Sequence, residues 1–401
     1  MTSDSYQTVV VGGGISGLAM AHYAAEQGQS TLLLEASERV GGCLYSHRFE
    51  SCAGFWAELG AHTCYNSYGR LLGIMETCGL LEQIQEKRKL PYRLLADDKI
   101  HSIGSRLFVP ELLTVLPKLF AVKKPGKSVG EYYARVLGRR NYERVLGPAL
   151  DAVICQPAAG FPAEALFRKR ERRKDVIRNY TFPGGVEDIS RTIAQRLGAA
   201  LRSAQPVTAI AKESDGFRIT STSGEEYIGQ HLVLATPVAT AATLLAEPFP
   251  KLATLLSRIQ QVSVESLAVV VPKNAVDLPP LAGLIGVDES FYSMVSRDPR
   301  PDPAWRGFTF HFKPQRLDEE QKLERICRVL GIARSDIAAQ ASTLNQLPAL
   351  ALGHYGLIEQ IDEALTGGRL GLTGNYFAGV SIEDCLVRTL SEFRRLNPEV
   401  G

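Results

Sequence analysis

The glycine spacing Gly12-x-Gly14-x-x-Gly17 constrains this chain more than any other feature, because of what flanks it. Before it, Thr8-Val9-Val10-Val11 reads as a buried strand; after it, the alanine-rich run Ile15 to Gln27 reads as a helix. Gly28 closes that helix, and Thr31-Leu32-Leu33-Leu34-Glu35 reads as a second strand. Strand, tight turn, helix and strand in this order make a βαβ unit, which implies a parallel sheet with helices packed on it. In such a turn the first glycine permits the bend, the second lets backbone approach a pyrophosphate, and the third lets helix lie close to strand. The helix start at Ile15-Ser16 adds N–H groups and a partial positive charge for the anion. Glu35, ending the next strand, can accept both ribose hydroxyls and would repel a 2′-phosphate.

Composition narrows the partners. The chain has 401 residues, with 45 Lys and Arg against 43 Asp and Glu, so a net charge of +2 supplies no global field for nucleic acid. A small-molecule partner is expected instead. At roughly 100–200 residues per domain the length suits two domains or interleaved lobes. Seven cysteines with no CxxC pair fit a reducing compartment and give no zinc-site spacing, so no metal is expected. MTSDSYQ lacks the pattern of a signal peptide and no apolar run approaches the roughly eighteen residues of a membrane span, which favours a cytoplasmic location.

The order of elements suggests discontinuous lobes. From 76 to 180 the texture turns to helical stretches broken by prolines, including an amphipathic helix expected over Leu107 to Val122 with Lys118, Lys123, Lys124 and Lys127 about it. Strand signals return at Val207–Ile210, Phe217–Thr222 and His231–Ala235, expected as a small sheet beside the first. Ser266–Val271, the aromatic stretch Phe291 to Phe312 and a helix from Asp318 to Leu330 follow, then a strand Leu370–Leu372, a glycine-rich turn and a helix over Val380 to Leu396. The expected fold is α/β, a Rossmann-like dinucleotide domain (parallel sheet with a small β-sheet) over 1–75, 181–246 and 350–401, interleaved with an α+β substrate domain over 76–180 and 247–349.

Past Glu35, Ala36-Ser37-Glu38-Arg39-Val40-Gly41-Gly42 sets an arginine and a glycine pair where an extended dinucleotide would continue, a second point of anion approach. This opening resembles the flavoprotein superfamily of amine oxidases, protoporphyrinogen oxidases and phytoene-type desaturases, and the resemblance implies FAD. Thr181-Phe182-Pro183-Gly184-Gly185 is similar to the superfamily's second glycine pair, Pro206-Val207-Thr208 to the strand whose valine backbone meets adenine, and Leu232 to Pro237, with Ala235, Thr236 and Pro237, to the segment leading into the substrate lobe. Near the C-terminus, Leu347-Pro348 and Gly353-His354 followed by Gly374-Asn375-Tyr376-Phe377-Ala378-Gly379-Val380-Ser381-Ile382-Glu383-Asp384-Cys385 resemble the closing motif of the protoporphyrinogen oxidase branch. There the resemblance places a helix N-terminus at the flavin edge that gains negative charge on reduction.

For the chemistry, the resemblance implies hydride transfer from substrate to flavin N5 with return of the electrons to oxygen. Amine-oxidising relatives carry a lysine shortly after the segment matching Ala235-Thr236-Pro237; Val238 to Leu244 has none. That favours a porphyrinogen-like substrate, electron-rich enough to need little beyond orientation and a dry pocket. Gly60, Ala61 and His62 form the turn expected at the ring, and His62 and Tyr376 are the candidate catalytic side chains. A flavin amine oxidase or desaturase, and a non-catalytic FAD-binding scaffold, are the alternatives. Arg168 to Lys174 holds six positive charges in seven residues, readable as a peripheral membrane contact or as a solvated face. The chain is also shorter in its middle than porphyrinogen oxidases usually are, so pocket walls differ.

Overall fold

A computed structural model of the chain describes residues 4–115 and 122–400. The opening βαβ unit is present as strand Asp4–Val11, helix Ile15–Glu26 and strand Thr31–Leu34. Four parallel strands form the heart of the first sheet: Asp4–Val11 pairs with Thr31–Leu34 on one side and Glu226–Leu234 on the other, and Leu370–Leu372 joins beyond. Leu201–Arg202 extends the far edge. The alternation of side chains along these strands feeds two cores. Val10, Leu33 and Val233 point into a core closed by helices Ile15–Glu26, Gly69–Thr77, Glu187–Leu197 and Ile382–Leu396. Val9, Val11, Leu32, Leu34, Leu232 and Leu234 point into the other, closed by helices Val238–Leu245, Pro250–Ser257 and His354–Leu365. The sheet is thus covered on both faces, as a doubly wound fold requires.

The strands Val207–Glu213, Gly216–Ser221 and Glu226–Leu234 are continuous with this sheet rather than set beside it. The last of them lies between the two parts: Glu226 to Gly229 pair antiparallel with Gly216–Ser221 on one side, while Tyr227 to Leu234 run parallel to Asp4–Val11 on the other.

A second sheet orders Ala339–Ala349, Gln260–Pro272, Trp305–Phe312, Phe291–Ser296, Gly283–Gly286, Tyr92–Ala96 and Lys99–Ser102. One face carries Leu267, Val269, Phe308, Phe310 and Phe312 against helix Glu319–Leu330. That helix starts on an Asp318 capping box with Gln321, matching the helix expected from Asp318. The other face presents Ala268 and Val270 to a hairpin made of Ser46–Phe49 and Phe55–Glu58.

Two elements differ from expectation. The region 76–180 holds more than helices: Tyr92–Ala96 and Lys99–Ser102 form a hairpin, turned by Asp97 and Asp98 at φ 52° and 58°, which joins the second sheet through a parallel pairing with Gly283–Gly286. Ala339–Ala349 is an edge strand paired along Gln260 to Val270; its polar sequence hides it, because one side of the strand stays in solvent. The expected helix Leu107 to Val122 appears over Val109–Val115, and its part at 116–121, including Lys118, lies outside the described residues. Among the described residues no helix is long and apolar enough to cross a membrane, and no cluster of His, Cys, Asp or Glu could hold a metal. All seven cysteines are free.

Candidate functional site

The first glycine turn shows three separate reasons for glycine. Gly12 sits at φ +105°, and a Cβ there would lie 2.7 Å from Ala235 O. A Cβ on Gly17 would lie 1.8 Å from Gly12 O, so helix and turn touch backbone to backbone. Gly14, with φ −69°, has nothing within 4 Å of its Cβ direction. Of the three only Gly14 faces open space, at the start of a helix that no side chain caps. The N–H groups of the first turn at Ile15, Ser16 and Gly17 therefore stand beside the clearance an anion needs.

Glu35 already organises this turn. Its Oε2 accepts Gly13 N at 2.6 Å and its Oε1 accepts Ser37 N at 2.8 Å, which leaves one lone pair on each oxygen for hydroxyl donors. Ala36 beside it is exposed. Gln205 N donates to Glu35 O at 2.8 Å and Ala204 N to Ser37 O at 2.9 Å, so Val207 is carried to the same edge, where its ladder slips between Val207 and Ala209. Gly41 N donates to Gly13 O at 2.8 Å, and a Cβ on Gly42 would come within 3.3 Å of Gly14 Cα. The two glycine loops are therefore one wall. Arg39 holds it shut: Nη1 donates to Val40 O and Leu44 O at 2.9 and 3.0 Å, and Nη2 donates to Gly42 O at 2.8 Å. Its guanidinium lies 4.1 Å over the Tyr45 ring, so Arg39 acts here by shaping the loop. Across the wall, Thr236 Oγ1 is buried without a hydrogen-bond partner, and Pro237 then starts the next helix.

The C-terminal motif comes to the same region. Ser381 caps helix Ile382–Leu396, its Oγ accepting Asp384 N at 3.1 Å. Asp384 is gripped by Arg170 Nη2 at 2.6 Å and approached by Arg168 at 3.5 Å, while Arg173 pairs with Asp175 and Glu76. Three arginines of the basic run are thus engaged within the molecule; Lys169, Arg172 and Lys174 are exposed. A Cβ on Gly379 would lie 2.7 Å from Asp384 Oδ2, and one on Gly374 would lie 2.8 Å from Tyr376 Cε1. Asn375 and Val380 are half-buried beside them. Tyr376 itself is 1% exposed, packed at 4.7 Å against the Phe377 ring in the second core, with its hydroxyl unpartnered. It does not meet His62. His354, also buried, bonds the Phe377 carbonyl.

The family profile of flavin-containing amine oxidoreductases matches residues 15–128 and 123–340. The chain belongs to this family. It is 21% identical over 409 aligned residues, covering 92% of this chain and 76% of the relative, to a flavin-containing amine oxidase of Danio rerio. It is 30% identical over 144 residues, covering 34% of this chain and 26% of the relative, to L-amino acid oxidase Lm29 of Lachesis muta. Among solved structures, "Putative protoporphyrinogen oxidase from Exiguobacterium sp. 255-15" superposes over 100% of both chains with a TM-score of 0.81 at 19% identity. Cyclohexylamine oxidase from Brevibacterium oxydans IH-35A superposes over the same share with a TM-score of 0.73 at 16% identity.

The protein is therefore an FAD-dependent oxidoreductase of the amine oxidase superfamily, and the residues present fit that cofactor. Clear space at Gly14, free lone pairs on Glu35 and the unmet Thr236 hydroxyl lie along one cradle. From the cradle the chain continues into the Gly60 turn: Ala61 N donates to Cys43 O at 2.8 Å, and a Cβ on Gly60 would lie 2.0 Å from that oxygen. The glycine pair Gly184-Gly185, expected from the resemblance as the second of the superfamily, is different. A Cβ on Gly185 would lie 2.2 Å from Ser46 Oγ and 2.9 Å from Glu58 Oε1, so protein rather than ligand fills its clearance.

His62 lines a cavity of about 140 Å³ beneath the second sheet, with Trp56, Lys87, Thr181, Arg297 and Thr309 among its walls. Thr63 Oγ1 donates to His62 O at 2.7 Å and receives Lys87 Nζ at 2.8 Å, so its bond to His62 Nδ1 at 3.0 Å needs the proton on the ring nitrogen. Nε2 then keeps the lone pair. Burial, with the charge of Lys87 and the nearby His311, lowers the His62 pKa to about 3, and burial lowers His311 to about 4. Neither is an acid at neutral pH. Sequence reasoning did not find Lys87 or Arg297, because no local motif marks residues that only the fold gathers, and it read Thr181 only as part of a glycine-pair motif.

Two outcomes follow from this geometry. Gly17→Ala should destabilise the fold by about 3 kcal/mol or more, since backbone faces backbone, whereas Gly14→Ala should leave the apoprotein's thermal stability unchanged and weaken FAD by about 1–3 kcal/mol; differential scanning of apoprotein and equilibrium dialysis of FAD measure the two. His62, with a folded pKa below its unfolded 6.5, contributes stability above that value and loses it as pH falls towards about 3. In His62→Asn the slope of stability against pH in that window should fall by up to about one proton, read from urea unfolding at a series of pH values.

Proposed function

We propose that this flavoprotein is an oxidase of the protoporphyrinogen-oxidase-like kind, which removes hydride from an electron-rich small molecule held beneath the second sheet, a porphyrinogen being the leading substrate. The observation that carries this reading is the fold, shared over the whole chain with the "Putative protoporphyrinogen oxidase" at a TM-score of 0.81. In the cavity itself burial keeps His62 neutral, with a pKa of about 3, while Glu58, raised by burial to about 7, and Lys87, lowered by burial to about 8, are the groups that titrate near neutral pH. When bound, FAD would supply the two-electron acceptor for the hydride, and dioxygen would take the electron pair back with two protons as hydrogen peroxide.

In this reading Gly12, Gly14, Ile15, Ser16 and Gly17 receive the pyrophosphate, Glu35 the ribose hydroxyls, and Val207 the adenine edge. Ala36, Gly41, Gly42, Ala235, Thr236 and Pro237 wall the cradle, and Arg39 keeps the second loop shaped. Gly60, Ala61 and His62 lie at the ring, with Lys87 fixing their turn by donating to His62 O at 2.6 Å. Gly374, Asn375, Gly379, Val380 and Ser381 complete the flavin side, and Tyr376 supports them from the core. The FAD lobe comprises 1–75, 181–246 and 350–401.

A second reading, oxidation of an amine or amino acid, is supported by the named relatives and by the cavity's volume of about 140 Å³, which admits a small substrate more readily than a tetrapyrrole. Anaerobic mixing of the FAD-loaded protein with porphyrinogens, amines and L-amino acids separates the readings: the expected result is bleaching of the oxidised flavin band by porphyrinogen, and bleaching only by amines or amino acids would replace the leading reading with the second. Glu35→Ala should weaken FAD by about 1–3 kcal/mol, the range for bonds to a charged group, measured by dialysis against free FAD.

A further inference from the structure

The cavity that His62 lines is electrostatically lopsided. Its walls include the cations Lys87, Arg88, Lys89, Arg297 and Arg300 against one acid, Glu58. That acid hydrogen-bonds away from the cations, Oε2 accepting Ser46 Oγ at 2.6 Å and Oε1 accepting Val186 N at 2.9 Å, so it answers Lys87 and Arg297 only through its charge, which burial weakens by raising its pKa to about 7. Lys87 donates only to neutral oxygens, His62 O and Thr63 Oγ1. Arg297 is the most exposed to unmet demand, because its Nε and Nη1 are buried with no hydrogen-bond partner. Its guanidinium carbon is 3.8 Å over the Trp56 ring and 5.6 Å from that of Phe55, so its plane is held by stacking while its donors stay unused. Thr181 Oγ1, in the same wall, is also buried and unpartnered.

A nearby arginine shows the usual alternative. Arg306 is buried as well, and Asp298 meets it with two bonds, Nε to Oδ1 at 3.0 Å and Nη2 to Oδ2 at 2.6 Å. A buried guanidinium left without such a partner is costly, and a flat two-oxygen anion relieves it in the geometry the fork prefers. We propose that Arg297, assisted by Lys87 and Thr181, binds a carboxylate of the substrate, so that this site selects an anionic molecule and rejects a protonated amine. The proposal rests on the reading that the cavity is the substrate site.

The test uses the FAD-loaded protein, so that the pyrophosphate cradle is filled. Succinate, inorganic phosphate, succinamide and benzylamine are titrated separately, with the thermal midpoint and the visible flavin spectrum as readouts. Succinate should bind saturably and shift both, while succinamide and benzylamine should shift neither. Arg297→Gln should weaken succinate by about tenfold or more, and Arg297→Lys by less, each with flavin absorbance equal to the parent protein as proof of folding. Equal succinate affinity in Arg297→Gln, or binding of benzylamine in preference to succinate, would overturn the proposal. Phosphate binding more tightly than succinate would overturn the carboxylate assignment in favour of a phosphate ester. Succinate binding that depends on Arg297 but leaves the flavin spectrum unmoved would uphold the anion site and overturn instead the placement of the substrate beside the flavin.

Discussion

A buried carboxylate joins the two halves of this molecule. Glu58 ends a hairpin whose outer face packs on Ala268 and Val270 of the second sheet, and it accepts the N–H of Val186 at the start of a helix that covers the first sheet. Ser46 completes the knot: its Oγ donates to Glu58 and accepts Glu187 N at 3.1 Å, while its own N–H reaches Glu187 Oε2 at 2.9 Å. Leaving such a group unmet would cost more than the roughly 1–3 kcal/mol of an ordinary buried polar atom. Gly185 is required here because no Cβ fits between Ser46 and Glu58. The next residues after Glu58 are Leu59-Gly60-Ala61-His62, so the knot also sets where the turn beside the cradle lies relative to both sheets.

The part of the fold that local sequence encodes was legible. Gly12 to Glu35 carries its own strand, turn and helix signals within one stretch, and helix Glu319–Leu330 announces its start through Asp318 and Gln321. The hairpin Tyr92–Ala96 and Lys99–Ser102 and the strand Ala339–Ala349 were not, because each is stabilised by a partner far away in the chain and has no strong pattern of its own. The same limit applies to the site. Glycines can be read in advance because they mark backbone geometry; Lys87 and Arg297 are ordinary residues until Trp56, Thr181 and the sheet beside them make one cavity.

Residue type alone also misassigned emphasis within the cradle. Arg39 looks in sequence like a direct anion contact, yet its Nη donors are taken by three carbonyls of its own loop, so its influence on a dinucleotide passes through the position of Gly41 and Gly42. Tyr376 is read in sequence as a candidate catalytic side chain, yet it is a core side chain pressed against Gly374 in the glycine-rich turn. In both cases the aromatic or charged group shapes backbone.

Net charge is the coarsest of these signals, and the way it misleads is instructive. A total of +2 suggests little electrostatic preference, but it is a sum over pairs that cancel locally. Arg170 is met by Asp384, Arg306 by Asp298, Arg325 by Glu289, and Arg388 and Arg395 by Glu392. Each of these pairs removes its cation from the field that a ligand would feel. The cations of the cavity outnumber their acid: Glu58 faces Lys87 and Arg297 through its charge but hydrogen-bonds Ser46 and Val186, and neither cation has a carboxylate bonded to it among the described residues. A field of several charges over a few ångströms in a low-dielectric cleft is stronger locally than the total over the surface conveys. Where the acids are committed therefore matters more to function than how many the chain contains.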